Sequence, residues 1–354
     1  MMYFWGMRVL IYTATYLPIP RLILLDRVIL LVKEYAAFSE NQIYIIGNDW
    51  PASFVSYCKE IEQVQLLAQN NTRDLFKTTT NTIIIHFGTH VKSVNRIPLL
   101  FIPLQLPNEL KNASFLHKMR LNYRFNSWMK LAQKILCVND WVYSSLITRY
   151  TTLSFAIAPV YLPLMDVPTF EWKDLSLAKE QLSSGDNYFL CFAPKERIKE
   201  IVKEFSIFKK WQHTTMHLVF VVNNKKEIET ALQALKGYKY IQDIAIIAEN
   251  DLCLEWIAAS YAILWEGIGF SKTTWMEYAM QYEVPLLLDA DIPLPANWTK
   301  SGEVFSFKEK QALSNHFKLY YKDEMYRQAK AITGKEWLIT NNSLLSCNNK
   351  INTL

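Results

Sequence analysis

The sequence predicts an α/β protein built from two doubly wound parallel sheets. Short apolar runs alternate with stretches of helical spacing along most of the chain, a pattern typical of parallel strands covered by helices on both faces. The 354 residues suffice for two domains of roughly 150–180 residues each. A stretch with three prolines, 158–172, separates two such alternating series and is the best candidate for a linker.

The first series forms a predicted N-terminal domain, 1–165. Apolar runs predict its strands, and Leu, Ile and Val at spacings of three and four residues predict its helices. The predicted strands are 8–13, 42–46, 82–86, 99–102 and 135–138, the helices are 21–39, 114–132 and 140–149, and 52–68 mixes a helix with a further strand.

The second series forms a predicted C-terminal domain, 166–330. A C-terminal helix and tail, 331–354, would pack back on the first domain, and its polar end from 341 would fray. The predicted strands are 188–192, 217–222, 244–247, 262–265 and 286–288, and the helices are 197–211, 225–235, 252–260, 275–282 and a charged helix or helix pair over 308–333.

Composition narrows the function classes. Hydrophobic residues make up 51% of the chain and aromatic residues 14%, which excludes a disordered protein. The net charge of +5 fits an anionic ligand or membrane surface, and no stripe of Lys and Arg interleaved with aromatic residues points to a nucleic-acid partner. Nine glycines in 354 residues are well under the usual ~7%. Because backbone that contacts phosphate often needs glycine, this scarcity counts mildly against extensive phosphate chemistry.

Cysteine usage and the start of the chain indicate a reducing, cytoplasmic location. The five cysteines are scattered and odd in number, without a C-x-x-C pair, so we expect neither a disulfide framework nor a zinc site. The apolar run near the N-terminus predicts a strand, not a signal peptide, and no uncharged apolar run reaches 18 residues. The apolar run at 99–106 has two interpretations, a buried strand and a peripheral contact with the inner membrane face, and the buried strand explains it better.

Residues 260–288 are the most informative stretch. They predict a strand, a Glu-Gly-Ile-Gly turn at 266–269, a helix and a second strand. A strand that enters a helix through a glycine-bearing loop directs backbone N–H groups at an anion.

This stretch resembles the nucleotide-sugar site of retaining glycosyltransferases of the GT-B fold, family 4, whose pattern there is E-G-F-G-[LI]-P-x-x-E-A-M-x-x-x-x-P. Segments 137–146, 179–190 and 194–211 are similar to other family segments in the same order, and the second-domain match spans about 179–330. The resemblance implies the GT-B architecture, two Rossmann-like domains with an interdomain cleft. The N-terminal domain would then hold the acceptor and the C-terminal domain the donor.

The resemblance assigns the donor diphosphate to cationic side chains. Lys195 takes the position of the arginine in the family's basic pair, whereas Glu196 stands where the family has lysine. Arg197, the next residue, would replace that lysine if the turn shifts by one residue. Lys272 would reach a phosphate from the loop after the strand. The alternative for Lys195 and Arg197 is a solvated helix start, because alternating charges continue along the helix.

The resemblance also assigns a catalytic pair and a ribose contact. Glu266 would contact the donor sugar, and His86 would face the cleft from the end of a buried strand. Gly267 and Gly269 would bring backbone N–H groups to the donor, and Glu277 would hold ribose hydroxyls. The alternatives are a polar turn residue for Glu266, an ordinary strand-end histidine for His86 and an exposed helix carboxylate for Glu277.

The family's E-x7-E motif is not intact in this chain. Its second glutamate aligns with Thr274 when the motif is placed from Glu266 onwards, and with Tyr278 when it is placed from 279–281 backwards. Glu277 lies eleven residues after Glu266 instead of eight.

Several other functions lack their sequence signatures. His86 and His90 have no third ligand nearby, so we expect no metal. The Lys-Thr-Thr at 272–274 lacks the rest of the phosphate-loop motif. Neither G-x-G-x-x-G after the first strand nor G-x-S-x-G occurs, which disfavours an NAD oxidoreductase and an α/β-hydrolase.

The sequence therefore favours a retaining, metal-independent hexosyltransferase. It would use a nucleotide diphosphate sugar as co-substrate, with no other cofactor, and a surface-glycan or lipid-linked saccharide as acceptor. The alternative is a GT-B-fold homologue without catalysis that binds a glycan or protein partner during assembly. A third, weaker alternative is another nucleotide-sugar enzyme, such as an epimerase.

Overall fold

The structure is a computed structural model, and it describes the second half of the chain almost continuously, at 167–222, 225–265, 270–291 and 298–342. Before that it describes 8–12, 43–46, 64–67, 82–87, 99–102, 134–137, 140–151 and 157–159, with single helical positions between 55 and 129. The chain divides into two compact units, Met1–Met165 with Asn341–Leu354, and Asp166–Thr340.

The first unit contains a seven-stranded sheet in which every described pairing is parallel. Its order, β3-β2-β1-β4-β5-β6-β7, starts at the centre and runs outward in both directions, as in doubly wound folds. The strands are β1 Arg8–Tyr12, β2 Ile43–Ile46, β3 Val64–Leu67, β4 Thr82–Phe87, β5 Leu99–Ile102, β6 Lys134–Cys137 and β7 Ile157–Pro159, with helix α1, Asp140–Arg149, between the last two.

The predicted strands of this unit are confirmed within one residue at each end. The apolar run at 99–102 forms β5, which pairs with β4 on one side and β6 on the other. The predicted helix at 21–39 lies outside the described residues. The first two residues of the predicted linker, 158–172, belong to the edge strand β7, Ile157–Pro159, and the division between the two units falls within the rest of that range. An edge strand tolerates proline, which has no N–H to donate.

The second unit contains a six-stranded parallel sheet of order β10-β9-β8-β11-β12-β13. This is the Rossmann arrangement, in which the first strand of the unit lies at the centre. Its strands are β8 Tyr188–Phe192, β9 His217–Val222, β10 Ile244–Ala248, β11 Ala262–Trp265, β12 Leu286–Asp289 and β13 Gly302–Phe305, and its helices are α2 Trp172–Ser183, α3 Ile198–Gln212, α4 Lys225–Ala234, α5 Leu254–Ala258, α6 Phe270–Gln281, α7 Ala312–Lys322 and α8 Glu324–Asn342.

Some boundaries differ from the prediction. The helix α2 and the edge strand β13 were missed, and α6 begins at Phe270 instead of residue 275. The charged stretch 308–333 is a helix pair that breaks at Asp323. Oδ1 of Asp323 accepts a hydrogen bond from the backbone N–H of Tyr326 at 2.9 Å, so this residue caps the start of α8.

The core of the second unit explains why its strands were recognisable. Every residue of β8, β11 and β12 is buried, because helices cover both faces of the sheet. Helix α3 buries residues at spacings of three and four, including Phe205 and Phe208, against the sheet and α7. The rings of Phe189 in β8 and Phe317 in α7 lie 4.4 Å apart at the centre of this cluster.

Candidate functional site

The order of the second sheet predicts a ligand-binding crevice at the carboxyl ends of β8 and β11. These strands are adjacent, yet the chain runs outward from β8 through β9 to β10 before it returns to β11. In doubly wound sheets, ligands bind at the carboxyl edge where the strand order reverses in this way. The turn that follows β8 and the start of α6, the helix that follows β11, therefore lie at the candidate site, and the ends of β10 and β12 lie on the same edge of the sheet.

Arg197 lies in the turn after β8 and is held by two neighbours. Nη1 of Arg197 is 2.5 Å from Oε2 of Glu200, one turn further along α3. The guanidinium also stacks over the ring of Phe307, with its carbon 4.9 Å from the ring centroid. About a third of the Arg197 side chain (34%) stays exposed, so its charge remains accessible to a ligand.

The same turn is a short 3-10 helix, Lys195–Arg197, that leads directly into α3. Its backbone is closed by a hydrogen bond from the N–H of Arg197 to the carbonyl of Pro194 at 2.9 Å. Lys195 therefore has its backbone at the predicted place, while its side chain lies outside the described residues. Glu196 is exposed, and together with Glu200 it offsets the positive charge of this turn.

Asp289 ends β12 on the same edge and is fully buried. Its Oδ1 accepts a hydrogen bond from the backbone N–H of Asp291 at 2.9 Å, whereas Oδ2 has no hydrogen-bond partner among the described residues. Burial raises the pKa of Asp289, and the Asp291 N–H and the positive charge of Arg197 offset that rise only in part. This carboxyl group is therefore held in surroundings that disfavour its ionised form.

Asp291 and Lys308 join the ends of β12 and β13. Nζ of Lys308 lies 2.7 Å from Oδ1 of Asp291, and the hydroxyl of Ser306 donates to the same oxygen at 3.3 Å. The hydrogen bond from Lys308 holds the pKa of Asp291 below its ordinary value. These polar side chains fix the turn next to Arg197.

Glu249 stands in the turn after β10 and contacts α6. The indole N–H of Trp275 donates to Oε1 of Glu249 at 3.1 Å. Trp275 is buried, whereas Glu249 is half-buried. The sequence reasoning missed Glu249, because a single glutamate after a strand carries no signal of its own.

Helix α6 positions the residues predicted from the glycine-bearing stretch. Lys272 lies in its first turn, with a side chain outside the described residues. Glu277 is half-buried, whereas its neighbours along the helix, Met276 and Tyr278, are buried. The predicted Glu266, Gly267 and Gly269 lie outside the described residues, so their roles and the degenerate E-x7-E motif stay predictions.

His86 lies in the other unit, near the carboxyl end of β4. Its backbone is in register with Tyr12, the last residue of β1, and with Phe101 of β5. Strands β1 and β4 are the adjacent pair at which the first sheet reverses its order. His86 therefore has the place in its sheet that ligand-binding residues occupy in doubly wound folds. Its side chain lies outside the described residues.

Two features are absent from the part of the chain that the structure describes. No group of three or more His, Cys, Asp or Glu residues there has the arrangement to hold a metal ion. No helix there is both long enough and apolar enough to cross a membrane.

Comparison with known proteins shows the fold. No protein-family model matches the chain, and no curated protein matches it. A glycosyltransferase from Rickettsia africae ESF-5 is similar in structure, with a TM-score of 0.69 and 13% sequence identity over 98% of this chain and 97% of that chain. WaaG, a glycosyltransferase involved in lipopolysaccharide biosynthesis, has a TM-score of 0.65 and 11% identity over 98% of this chain and 99% of that chain.

HepE from Anabaena, solved in complex with UDP-glucose, is similar over 98% of both chains, with a TM-score of 0.66 and 11% identity. These likenesses cover both units of the chain. The fold class is α/β of the GT-B type, as predicted. At such low identities the likeness establishes the fold and not the activity.

Proposed function

We propose that the chain is a glycosyltransferase that transfers a sugar from a nucleotide diphosphate sugar to a surface-glycan or lipid-linked acceptor. The observation that carries this proposal is the GT-B fold over nearly the whole chain, shared with a structure that holds UDP-glucose. The carboxyl edge of the second sheet, with Arg197 at the start of α3, supports it as a place for the donor.

In the proposed reaction, Lys195, Arg197 and Lys272 stabilise the leaving diphosphate. The acceptor oxygen bonds to the anomeric carbon on the face from which the diphosphate leaves, so configuration is retained, and the departing phosphate oxygen takes the proton of the acceptor hydroxyl. Positioning and charge stabilisation are then the main catalytic contributions. The cationic side chains replace a metal ion, and Glu266 and His86 contact the reacting sugar. The enzyme would act in the cytoplasm or at the inner membrane face, without a further cofactor.

A second candidate function is a non-catalytic GT-B homologue that binds a glycan or protein partner. The pairing of Arg197 with Glu200, beside the exposed Glu196, favours it. Carboxylates in this turn weaken its attraction for a diphosphate. The two candidates differ in whether a nucleoside diphosphate binds at all.

Calorimetric titration with UDP, GDP and their common sugar conjugates tests the proposal. We expect micromolar binding of one nucleotide by the wild type and severe loss in the double variant Lys195→Ala/Arg197→Ala. The matched control is Lys199→Ala/Lys203→Ala, which removes two exposed lysines from α3, the helix that follows this turn. The absence of binding to a folded sample would favour the non-catalytic candidate. Equal affinity in the two double variants would refute the diphosphate assignment.

A further inference from the structure

We propose that Glu249 binds the ribose of the donor nucleotide by accepting hydrogen bonds from its 2′- and 3′-hydroxyls. This inference rests on the proposed function and names a residue for recognition of the nucleoside. The part of the ligand that is recognised is a vicinal diol, and the protein group that recognises it is the carboxylate of Glu249.

The carboxylate of Glu249 is oriented by one bond and keeps acceptor capacity. Oε1 accepts from the indole N–H of Trp275 at 3.1 Å, and Oε2 has no hydrogen bond to any described residue. Glu249 is half-buried, so the carboxylate is both anchored and accessible. An ionised carboxylate accepts several hydrogen bonds and donates none, which suits two neighbouring hydroxyl donors.

The contact with Trp275 ties the turn after β10 to α6, the helix that follows β11. Strand β10 is the edge strand, three positions from β11 in the sheet, a separation of about 14 Å at the usual strand spacing. Trp275 belongs to α6, the helix that follows β11. The turn after β10 therefore reaches the helix beside the crevice. In doubly wound nucleotide-binding folds, an acidic side chain near this edge binds ribose hydroxyls next to the phosphate-binding turn.

The sequence of α6 has no glutamate at the two positions where the resemblance places one. Thr274 and Tyr278 occupy the two positions at which the sequence resemblance places a glutamate, and they lie one turn apart on one face. Trp275 precedes Tyr278 by three residues, and their rings lie 6.0 Å apart. Glu249 therefore supplies, from a different element, a carboxylate next to that face. Glu249 would then bind the ribose hydroxyls that the resemblance assigns to Glu277.

The test is titration with paired ribo- and deoxyribonucleotides, UDP with 2′-deoxy-UDP and GDP with 2′-deoxy-GDP. We expect the wild type to bind the ribonucleotide of its preferred base about tenfold more tightly than the deoxy form, because a hydrogen bond to a charged group is lost. In Glu249→Gln, affinity for the ribonucleotide falls about tenfold and the ratio between the paired ligands approaches one. Trp275→Phe removes the anchoring N–H together with one ring of the buried indole, and it should lower the ratio of ribonucleotide to deoxyribonucleotide affinity less than Glu249→Gln does.

The matched control is Glu229→Gln, an exposed carboxylate on α4, which should leave the ratio unchanged. Three outcomes overturn the inference while the proposed function survives. In the first, Glu249→Gln leaves the ratio of ribonucleotide to deoxyribonucleotide affinity unchanged, and in the second only Glu277→Gln abolishes this preference. In the third, Glu249→Gln changes affinity only for nucleotide sugars, which would assign the diol to the transferred sugar. A folded wild type that binds none of the nucleotides refutes the proposed function, and the inference with it.

Discussion

The ammonium group of Lys209 lies 2.9 Å from Oδ2 of Asp243, although the lysine is only 5% exposed. It also donates to the carbonyl oxygens of Thr214 at 2.5 Å and Met216 at 3.1 Å. Three acceptors match the three donors of an ammonium group. This buried cation thus joins the end of α3 to the start of β9 and to the turn before β10, at the sheet edge opposite the candidate site.

Lys209→Met should destabilise the protein by about 3 kcal/mol, because it leaves the Asp243 carboxylate and two carbonyl groups without their partner. The measurement is urea unfolding at neutral pH. The control, Lys210→Met, changes the exposed neighbour and should shift stability by about 0.5 kcal/mol or less. Equal stability of the two variants would show that the buried cation is not needed.

Gly302→Ala should destabilise the second sheet by about 3 kcal/mol. Gly302 begins β13, and a Cβ there would overlap the backbone carbonyl of Leu286 in β12. The comparison is Gly237→Ala, at a positive φ of 81° with open space around the Cβ position, where only backbone strain of about 1 kcal/mol is expected. Thermal unfolding of both variants shows which substitution lowers stability more. A smaller loss of stability in Gly302→Ala than in Gly237→Ala would contradict the close approach of β13 to β12.

Asp289→Asn should stabilise the protein at pH 7 by about 1–2 kcal/mol, since it removes a buried charge whose Oδ2 accepts no hydrogen bond from any residue that the structure describes. Burial raises the folded-state pKa of this carboxyl above its unfolded value of about 3.9. The folded state therefore keeps the proton to higher pH, and wild-type stability falls as pH rises through the folded pKa. The advantage of the variant should shrink between pH 7 and pH 4. A variant less stable than the wild type at pH 7 would contradict this.

Glu200→Gln should raise the affinity for a nucleoside diphosphate about two- to fivefold. It removes the ionic partner of Arg197, while the stacking on Phe307 remains. Because both side chains are more than a third exposed, the pair itself contributes little to stability, and unfolding should be nearly unchanged. Calorimetry measures the affinity, and weaker binding in the variant would show that Glu200 orients Arg197 and does not compete with the ligand.

The fold was predictable wherever burial on both faces leaves an uninterrupted apolar run. Strands β8, β9 and β11 were located within the bounds that the structure gives them. Strand β13 was missed because it lies at the sheet edge, where burial is incomplete, and because its first residues, Gly302 and Glu303, interrupt the apolar pattern. Helix α2 was missed because its first residues are exposed, including Trp172, and it follows a stretch rich in proline.

The candidate site was less predictable, because tertiary contacts define it. The turn before α3 carries the predicted Lys195 and Arg197, yet the stacking of Arg197 on Phe307 joins residues 110 positions apart. Glu249 and Trp275 likewise come from different elements. No local spacing encodes such contacts, which arise only when the parallel strands align their carboxyl ends.

Hydrogen–deuterium exchange with and without the nucleotide sugar tests the central claim most directly. If the donor binds at the carboxyl edge of the second sheet, exchange should slow in peptides that cover 193–200 and 249–254, with little change at the opposite edge around 213–217. Protection confined to the opposite edge, or none despite binding measured by calorimetry, would contradict the account.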